Sequence, residues 1–277
     1  MIGLPFRGLV FDIDGCLMKG ANPIPGAADA VSELKARGMR VRYFTNDSSK
    51  TPAELAARLR RGGVDAEAAE VLTSGLVAAE YAAGKHAGGR VLAVGGAALR
   101  EALEARGLSL VEDRSAEVVV VGRDLDFNYE KLDAACQAIW AGGIFLATNL
   151  DRRVPVEKGF VPGTGAIVSS VAWATDRRPK VMGKPSIWAG RAAIRSLGVP
   201  AAEIVFVGDQ LQQDVRMGKN VGAAGVLVLT GSSRREDVDR LPARYRPNAV
   251  LPDVAALPGW LDAGRSHKEV DALKTAV

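Results

Sequence analysis

Short apolar runs recur along the chain, and longer stretches between them return a small or apolar residue every three or four positions. LVFDID (9–14), VRYFTND (41–47), EIVFVGD (203–209) and VLVLTG (226–231) are rich in β-branched and aromatic residues, as strands buried on both faces are. AADAVSELKARG (27–38), TPAELAARLRRGG (51–63), PSIWAGRAAIRSLG (185–198) and QQDVRMGKNVGAAG (212–225) have helical spacing and end at glycines. Strand following helix in this rhythm predicts an α/β fold with a doubly wound parallel sheet.

The middle of the chain has strands of its own, RVLAVGG (90–96), EVVVVGRD (117–124) and GIFLATN (143–149), and a helix over NYEKLDAACQAIWAGG (128–143). Residues 79–180 are therefore expected to form a smaller inserted α/β domain, with 1–78 and 181–277 making the core domain. A chain of 277 residues is long enough for both. In the inserted helix Leu132, Ala135, Cys136, Ile139 and Trp140 recur at helical spacing, which predicts that they are buried and that Cys136 fills core. RVLAVGGAALREAL lacks the GxGxxG pattern and reads as a strand, a glycine turn and a helix, not as a dinucleotide site. The final SHKEVDALKTAV fits a surface helix or a frayed tail.

Composition narrows the function without naming it. Lys and Arg total 36 against 32 Asp and Glu, with both signs interspersed, so the +4 balance gives no reason to expect nucleic acid. Two distant cysteines and two histidines make a zinc site improbable and suit a reducing cytoplasm. Arg7 and Asp12 interrupt the apolar start, and 159–175 carries Pro162 and three glycines, so neither a secretory leader nor membrane insertion is expected.

Ligands of open α/β sheets sit beyond the carboxyl ends of the strands, and four such ends here are chemically unusual. They offer Asp12 and Asp14, then Thr45, Asn46 and Asp47, then Lys184 in VMGKPS, then Asp209 and Asp214 in GDQLQQD. Residues two apart in an extended segment point the same way, so Asp12 and Asp14 could share one space unless Gly15 bends the chain first. Mg²⁺ with the Lys184 ammonium could neutralise that charge, and Asp209 could add a further carboxylate. A metal-held carboxylate stays ionised and can attack phosphorus, while a neighbour away from the metal can carry a proton. Each piece has an ordinary reading as well: TNDSSKTPAE looks like a helix entry with Ser49 or Thr51 as N-cap.

With DIDGCL, FTND, GKPS and GDQLQQD in this order, the chain resembles the haloacid dehalogenase-like superfamily and its phosphatase branch. The insert resembles the α/β cap of the subfamily that includes nitrophenylphosphatase-like enzymes, supported by IPGAADAV, ATNLD, PGTGAIV and DVRMGKNVGAAGVLVLTG. The resemblance implies a Rossmann-like core with an inserted cap. It makes Asp12 the nucleophile, Asp14 the acid/base, Thr45 and Asn46 phosphate ligands and Lys184 the charge clamp. It implies Mg²⁺ held by the Asp12 carboxylate, the Asp14 main-chain carbonyl and the Asp209 carboxylate, with Asp214 supporting from behind. The implied activity is hydrolysis of small phosphomonoesters, of the glycerol phosphate, phosphoglycolate, nucleotide or sugar phosphate type, through an aspartyl phosphate. A homodimer held through the cap is consistent with it.

Substrate choice is expected to lie in the cap, at Asn149, Asp151, Arg152 and Arg153. Two positions depart from the family pattern: Asp47 could bring an extra negative charge to the phosphate site unless it faces solvent or Lys50, and Cys16 reads as packing. The alternative is a catalytically silent phosphate-binding or regulatory protein. The acid/base at Asp14 argues against it, since a switch preserves its phosphoaspartate.

Overall fold

The computed structural model describes residues 6–156 and 158–263. The SHKEVDALKTAV tail lies outside the described residues. The first elements in chain order are β1 (Gly8–Asp12), β2 (Met18–Lys19), β3 (Asn22–Pro23), α1 (Ala27–Ala36), β4 (Arg40–Thr45), α2 (Pro52–Arg61), β5 (Val71–Thr73) and α3 (Ser74–Lys85). Next come β6 (Arg90–Val94), α4 (Ala97–Glu104), β7 (Ser109–Leu110), β8 (Val118–Val121), α5 (Tyr129–Trp140), β9 (Ile144–Ala147), β10 (Arg153–Pro155), β11 (Phe160–Pro162) and α6 (Thr164–Thr175). The chain closes with β12 (Lys180–Val181), α7 (Ile187–Leu197), β13 (Ile204–Gly208), α8 (Arg216–Asn220), β14 (Ala224–Val228), α9 (Arg235–Asp239) and β15 (Ala249–Leu251). No helix among the described residues is long and apolar enough to cross a membrane.

The chain divides into two compact units. The first holds residues up to Tyr43, Ala56–Glu70 and the stretch from Ala193 onward. Its strands run β15-β14-β13-β1-β4, with parallel pairing from β1 to β13, β13 to β14 and β14 to β15. Every residue of β1, β13 and β14 is buried, which is why these segments read as unbroken apolar runs. Helix α1 buries Ala27, Ala30, Val31 and Leu34, one helical stripe, and carries Asp29 in its first turn and Lys35 in its last, each favourable to the helix dipole.

The second unit holds Phe44–Leu55 and Val71–Ala192. It takes in the end of β4, with β5 beside it, and a parallel sheet of order β12-β9-β8-β6-β7. At the entry to α2 the Thr51 hydroxyl accepts from the Glu54 N–H while the Glu54 carboxylate accepts from the Thr51 N–H, so Thr51 is the cap in a reciprocal capping box. Helix α5 starts at Asn128, whose side chain accepts from the Lys131 N–H, and buries Ala135, Cys136, Ala138 and Ile139.

Three expectations need correcting. Trp140 is 57% exposed, because Ala138 takes the inward position and α5 ends at the tryptophan. Strand β14 ends at Val228, three residues earlier than VLVLTG suggests, since Thr230 and Ser232 make side-chain and main-chain bonds to Gly15 and Asp209. QQDVRMGKN is not one helix: Leu211–Val215 form a π turn before α8. The Asp214 carboxylate accepts from the Gln210 N–H, and the Val215 N–H reaches back to the Gln210 carbonyl, widening that turn.

Candidate active site

In the first unit the ends of two paired strands set the chemistry. Phe11 pairs with Val207, so Asp12 at the end of β1 and Asp209 just past β13 leave the sheet side by side. Asp214 joins them from the π turn, and carboxylate oxygens of Asp12, Asp209 and Asp214 lie within 4.8 Å of one another. The three residues are 8%, 1% and 3% exposed. Carboxylates buried this closely repel, and a divalent cation offsets that repulsion. A hard donor set of oxygens suits such a cation.

The surrounding backbone is shaped to this cluster. Gly15 turns at φ +92°, and a Cβ there would fall 2.7 Å from the Asp209 carboxylate; one at Gly231 would fall 2.0 Å from it. A Cβ at Gly208 would meet the Asp214 carboxylate carbon at 2.2 Å. The Ser232 N–H donates to Asp209 Oδ2 at 2.7 Å, and the Thr230 hydroxyl donates to the Gly15 carbonyl. Sequence reasoning missed this Thr230–Ser232 turn. Its only signal was that TGS follows another strand of the same sheet.

Asp14 has different surroundings. Just before the Gly15 turn its side chain is 55% exposed and meets Arg58 of α2, Nη2 to Oδ1 at 2.5 Å and Nη1 to Oδ2 at 3.3 Å. Arg58 was also missed, since a basic residue on an amphipathic helix resembles any solvated charge.

In the second unit, Thr45 at the end of β4 accepts from the Asp47 N–H through its hydroxyl at 3.0 Å. The Asn46 side chain grips the GKPS turn: its Oδ1 accepts from the Lys184 N–H at 2.8 Å, and its Nδ2 faces the Lys184 carbonyl at 3.5 Å. Nδ2 also donates to Asp151 Oδ2 at 3.2 Å. The Asn46 carbonyl accepts from the Ser74 hydroxyl at 2.7 Å and from Asn149 Nδ2 at 2.6 Å. Gly183 is required where these segments converge, because a Cβ there would lie 2.5 Å from both Asn46 Oδ1 and the Thr148 carbonyl. Lys184 is 5% exposed, with Nζ 5.7 Å from the centre of the Phe44 ring.

The structure thus brings Asp12, Asp209 and Asp214 together, and separately Asn46, Asn149, Asp151 and Lys184. Arg152 lines a pocket with Leu150, Gly165, Ala166 and Ser169, and Arg153 lies over the Phe160 ring at 4.1 Å. Asp47 neither reaches Lys50 nor stands alone: its Oδ1 accepts from the Ser49 N–H at 2.9 Å and the Ser49 hydroxyl at 2.6 Å, while Lys50 lies near Glu54. Cys16 is buried, as expected of a packing residue.

Residues 9–109 match a family model described as haloacid dehalogenase-like hydrolase, and residues 181–257 match one described as HAD-hydrolase-like. An acid sugar phosphatase of Staphylococcus epidermidis is 37% identical over 242 residues, covering 87% of this chain and 93% of the relative. Among solved structures, the p-nitrophenyl phosphatase from Archaeoglobus fulgidus superposes with a TM-score of 0.86 at 35% identity, covering 93% of this chain and 99% of that one. A glycerol phosphate phosphatase from Mycobacterium tuberculosis, in complex with magnesium, gives 0.86 at 32% identity over 91% of this chain and 76% of that one.

Proposed function

The chain belongs to the haloacid dehalogenase-like hydrolases and is a phosphatase among them, and we propose that it hydrolyses small phosphomonoesters with Mg²⁺ through an aspartyl phosphate. The observation that carries this reading is the buried meeting of Asp12, Asp209 and Asp214. Asp12 and Asp209 would hold the metal by their carboxylates and Asp14 by its main-chain carbonyl, with Asp214 supporting. Bound Mg²⁺ supplies positive charge that keeps Asp12 ionised and draws charge from the phosphoryl group.

Asp12 attacks phosphorus and the ester oxygen leaves with a proton from Asp14. Asp14 then takes a proton from the water that hydrolyses the aspartyl phosphate, returning Asp12 and releasing phosphate. The Thr45–Asn46 segment binds phosphoryl oxygens and Lys184 adds a fixed cation, the form of stabilisation that dominates phosphoryl transfer.

Residues 79–180 act as the cap that selects the leaving group, with Arg152 and Arg153 as its candidate cationic contacts for a polar ester. Sugar phosphates lead the candidate substrates, supported by the staphylococcal relatives. Two free buried thiols fit a reducing cytoplasm.

The test is magnesium-dependent phosphate release from p-nitrophenyl phosphate and a panel of sugar, glycerol and nucleotide phosphates. Asp12→Asn should abolish release while its thermal melt stays cooperative. Turnover retained in Asp12→Asn overturns the mechanism, and a wild-type protein inert across the panel favours the silent phosphate-binding alternative.

A further inference from the structure

We propose that Asp151 is a positioning residue for phosphoryl transfer, which it serves by fixing the Asn46 amide and through it the place of Lys184. The inference rests on the phosphatase reading above, in which Lys184 is the charge clamp.

An asparagine amide has two faces of nearly equal shape and opposite hydrogen-bonding sense. In one orientation Asn46 Oδ1 accepts from the Lys184 N–H and Nδ2 donates to Asp151, as observed. Turned over, it would set N–H against N–H at Lys184 and oxygen against a carboxylate at Asp151. A carboxylate accepts and does not donate, so Asp151 selects the first orientation.

Asp151 is itself held at both ends of its main chain. Its N–H donates to Asn149 Oδ1 at 3.1 Å, and its carbonyl accepts from the Gly165 N–H at 2.9 Å at the start of α6. Asn149 ties the same assembly from the other side, through the Asn46 carbonyl. A continuous line of bonds therefore runs from α6 through Asp151 and Asn46 to the main chain of Lys184. Asn46 and Asn149 are buried, so a bond lost here is not replaced by water without cost.

This assignment differs in a measurable way from one in which Asp151 touches the leaving group. A contact to the leaving group changes one substrate against another, whereas a displaced Lys184 slows all of them alike.

The experiment compares kcat/KM for p-nitrophenyl phosphate and a hexose phosphate in Asp151→Ala, Asp151→Asn, Asn46→Asp and the double exchange Asn46→Asp with Asp151→Asn. Asp151→Ala should lower both substrates by the same factor, on the order of tenfold. Asp151→Asn, which keeps an acceptor oxygen, should recover most of it. Asn46→Asp sets two carboxylates together and should fall further. The double exchange restores one donor facing one acceptor and should regain at least tenfold over Asn46→Asp.

Loss confined to the hexose phosphate, or no rescue by the double exchange, overturns the inference. Should Asp151→Ala fail to fold, the Asp151→Asn and exchange variants decide it. A wild-type enzyme that turns over neither ester would instead fail the phosphatase reading.

Discussion

Arg58 holds Asp14 in a two-point grip, with Nη2 2.5 Å from Oδ1 and Nη1 3.3 Å from Oδ2, while the same Nη2 donates to the Gly20 carbonyl at 2.7 Å. An exposed ion pair is worth about 0–1 kcal/mol to stability. Its consequence lies in orientation, because one guanidinium fixes the carboxylate against a main-chain anchor.

Replacing Arg58 by Gln should therefore separate stability from rate. The melting temperature should move by no more than about 2–4 °C. Turnover of p-nitrophenyl phosphate should fall by roughly tenfold as Asp14 loses its fixed position, and Lys at 58 should recover only part of it, since an ammonium lacks the fork. Steady-state kinetics beside a thermal melt reads both; unchanged kcat in Arg58→Gln would show the pair to be idle.

The carboxylate cluster predicts its own response to a single methyl group. Gly231→Ala places a Cβ 2.0 Å from Asp209 Oδ2, so the carboxylate or the turn must shift. Saturating a site at 100 times its Kd stabilises a fold by about 2.7 kcal/mol, which appears as a rise in melting temperature when Mg²⁺ replaces EDTA. That rise should be at least halved in Gly231→Ala and absent in Asp209→Asn. An undiminished rise in both variants would place the bound ion elsewhere.

How far these features were legible follows from the kind of force behind each. The strands β1, β13 and β14 announce themselves because every residue in them is buried, and Asp12 and Asp209 stand out as acids terminating such runs. Thr51 is legible as a cap because the capping box is local. Arg58 was not, for its partner is 44 residues away and a lone arginine on a helix carries no mark of it. The Asn46 network was hidden similarly: ATNLD and GKPS could each be noticed, but their joining by one side-chain amide is a tertiary fact. Trp140 failed on the limits of periodicity, because the last turn of α5 lets Ala138 face inward in its place.

Tyr43 gives a prediction on pH. Its ring is fully buried and its hydroxyl donates to the Asp65 carbonyl at 2.6 Å. Burial first, then the nearby Glu70 and Asp65 carboxylates, push the phenol well above its ordinary value. The folded state thus holds this proton more tightly than the unfolded chain. Stability from the neutral phenol is complete below about pH 10 and declines above it, by up to about 1.4 kcal/mol per pH unit. Denaturant melts from pH 8 to 11 should show a steeper decline in wild type than in Tyr43→Phe, which loses about 1 kcal/mol at pH 8 with its hydrogen bond. Parallel curves would mean that Tyr43 ionises equally well in both states.

The two cysteines give a prediction on thiol reactivity. Cys16 lies buried beside the sheet with Sγ 3.7 Å from the Val207 carbonyl, and Cys136 is buried in the core that α5 contributes to. Burial, and then the charge of Asp133, raise the Cys136 thiol above its ordinary value and so disfavour the thiolate, the form that reacts. Ellman's reagent should therefore find almost no thiol in the native protein and both in guanidinium, and iodoacetamide should leave turnover intact. A carboxylate nucleophile at Asp12 is consistent with that indifference. Rapid alkylation of either cysteine in the native protein would show its thiol to be more accessible than its burial implies.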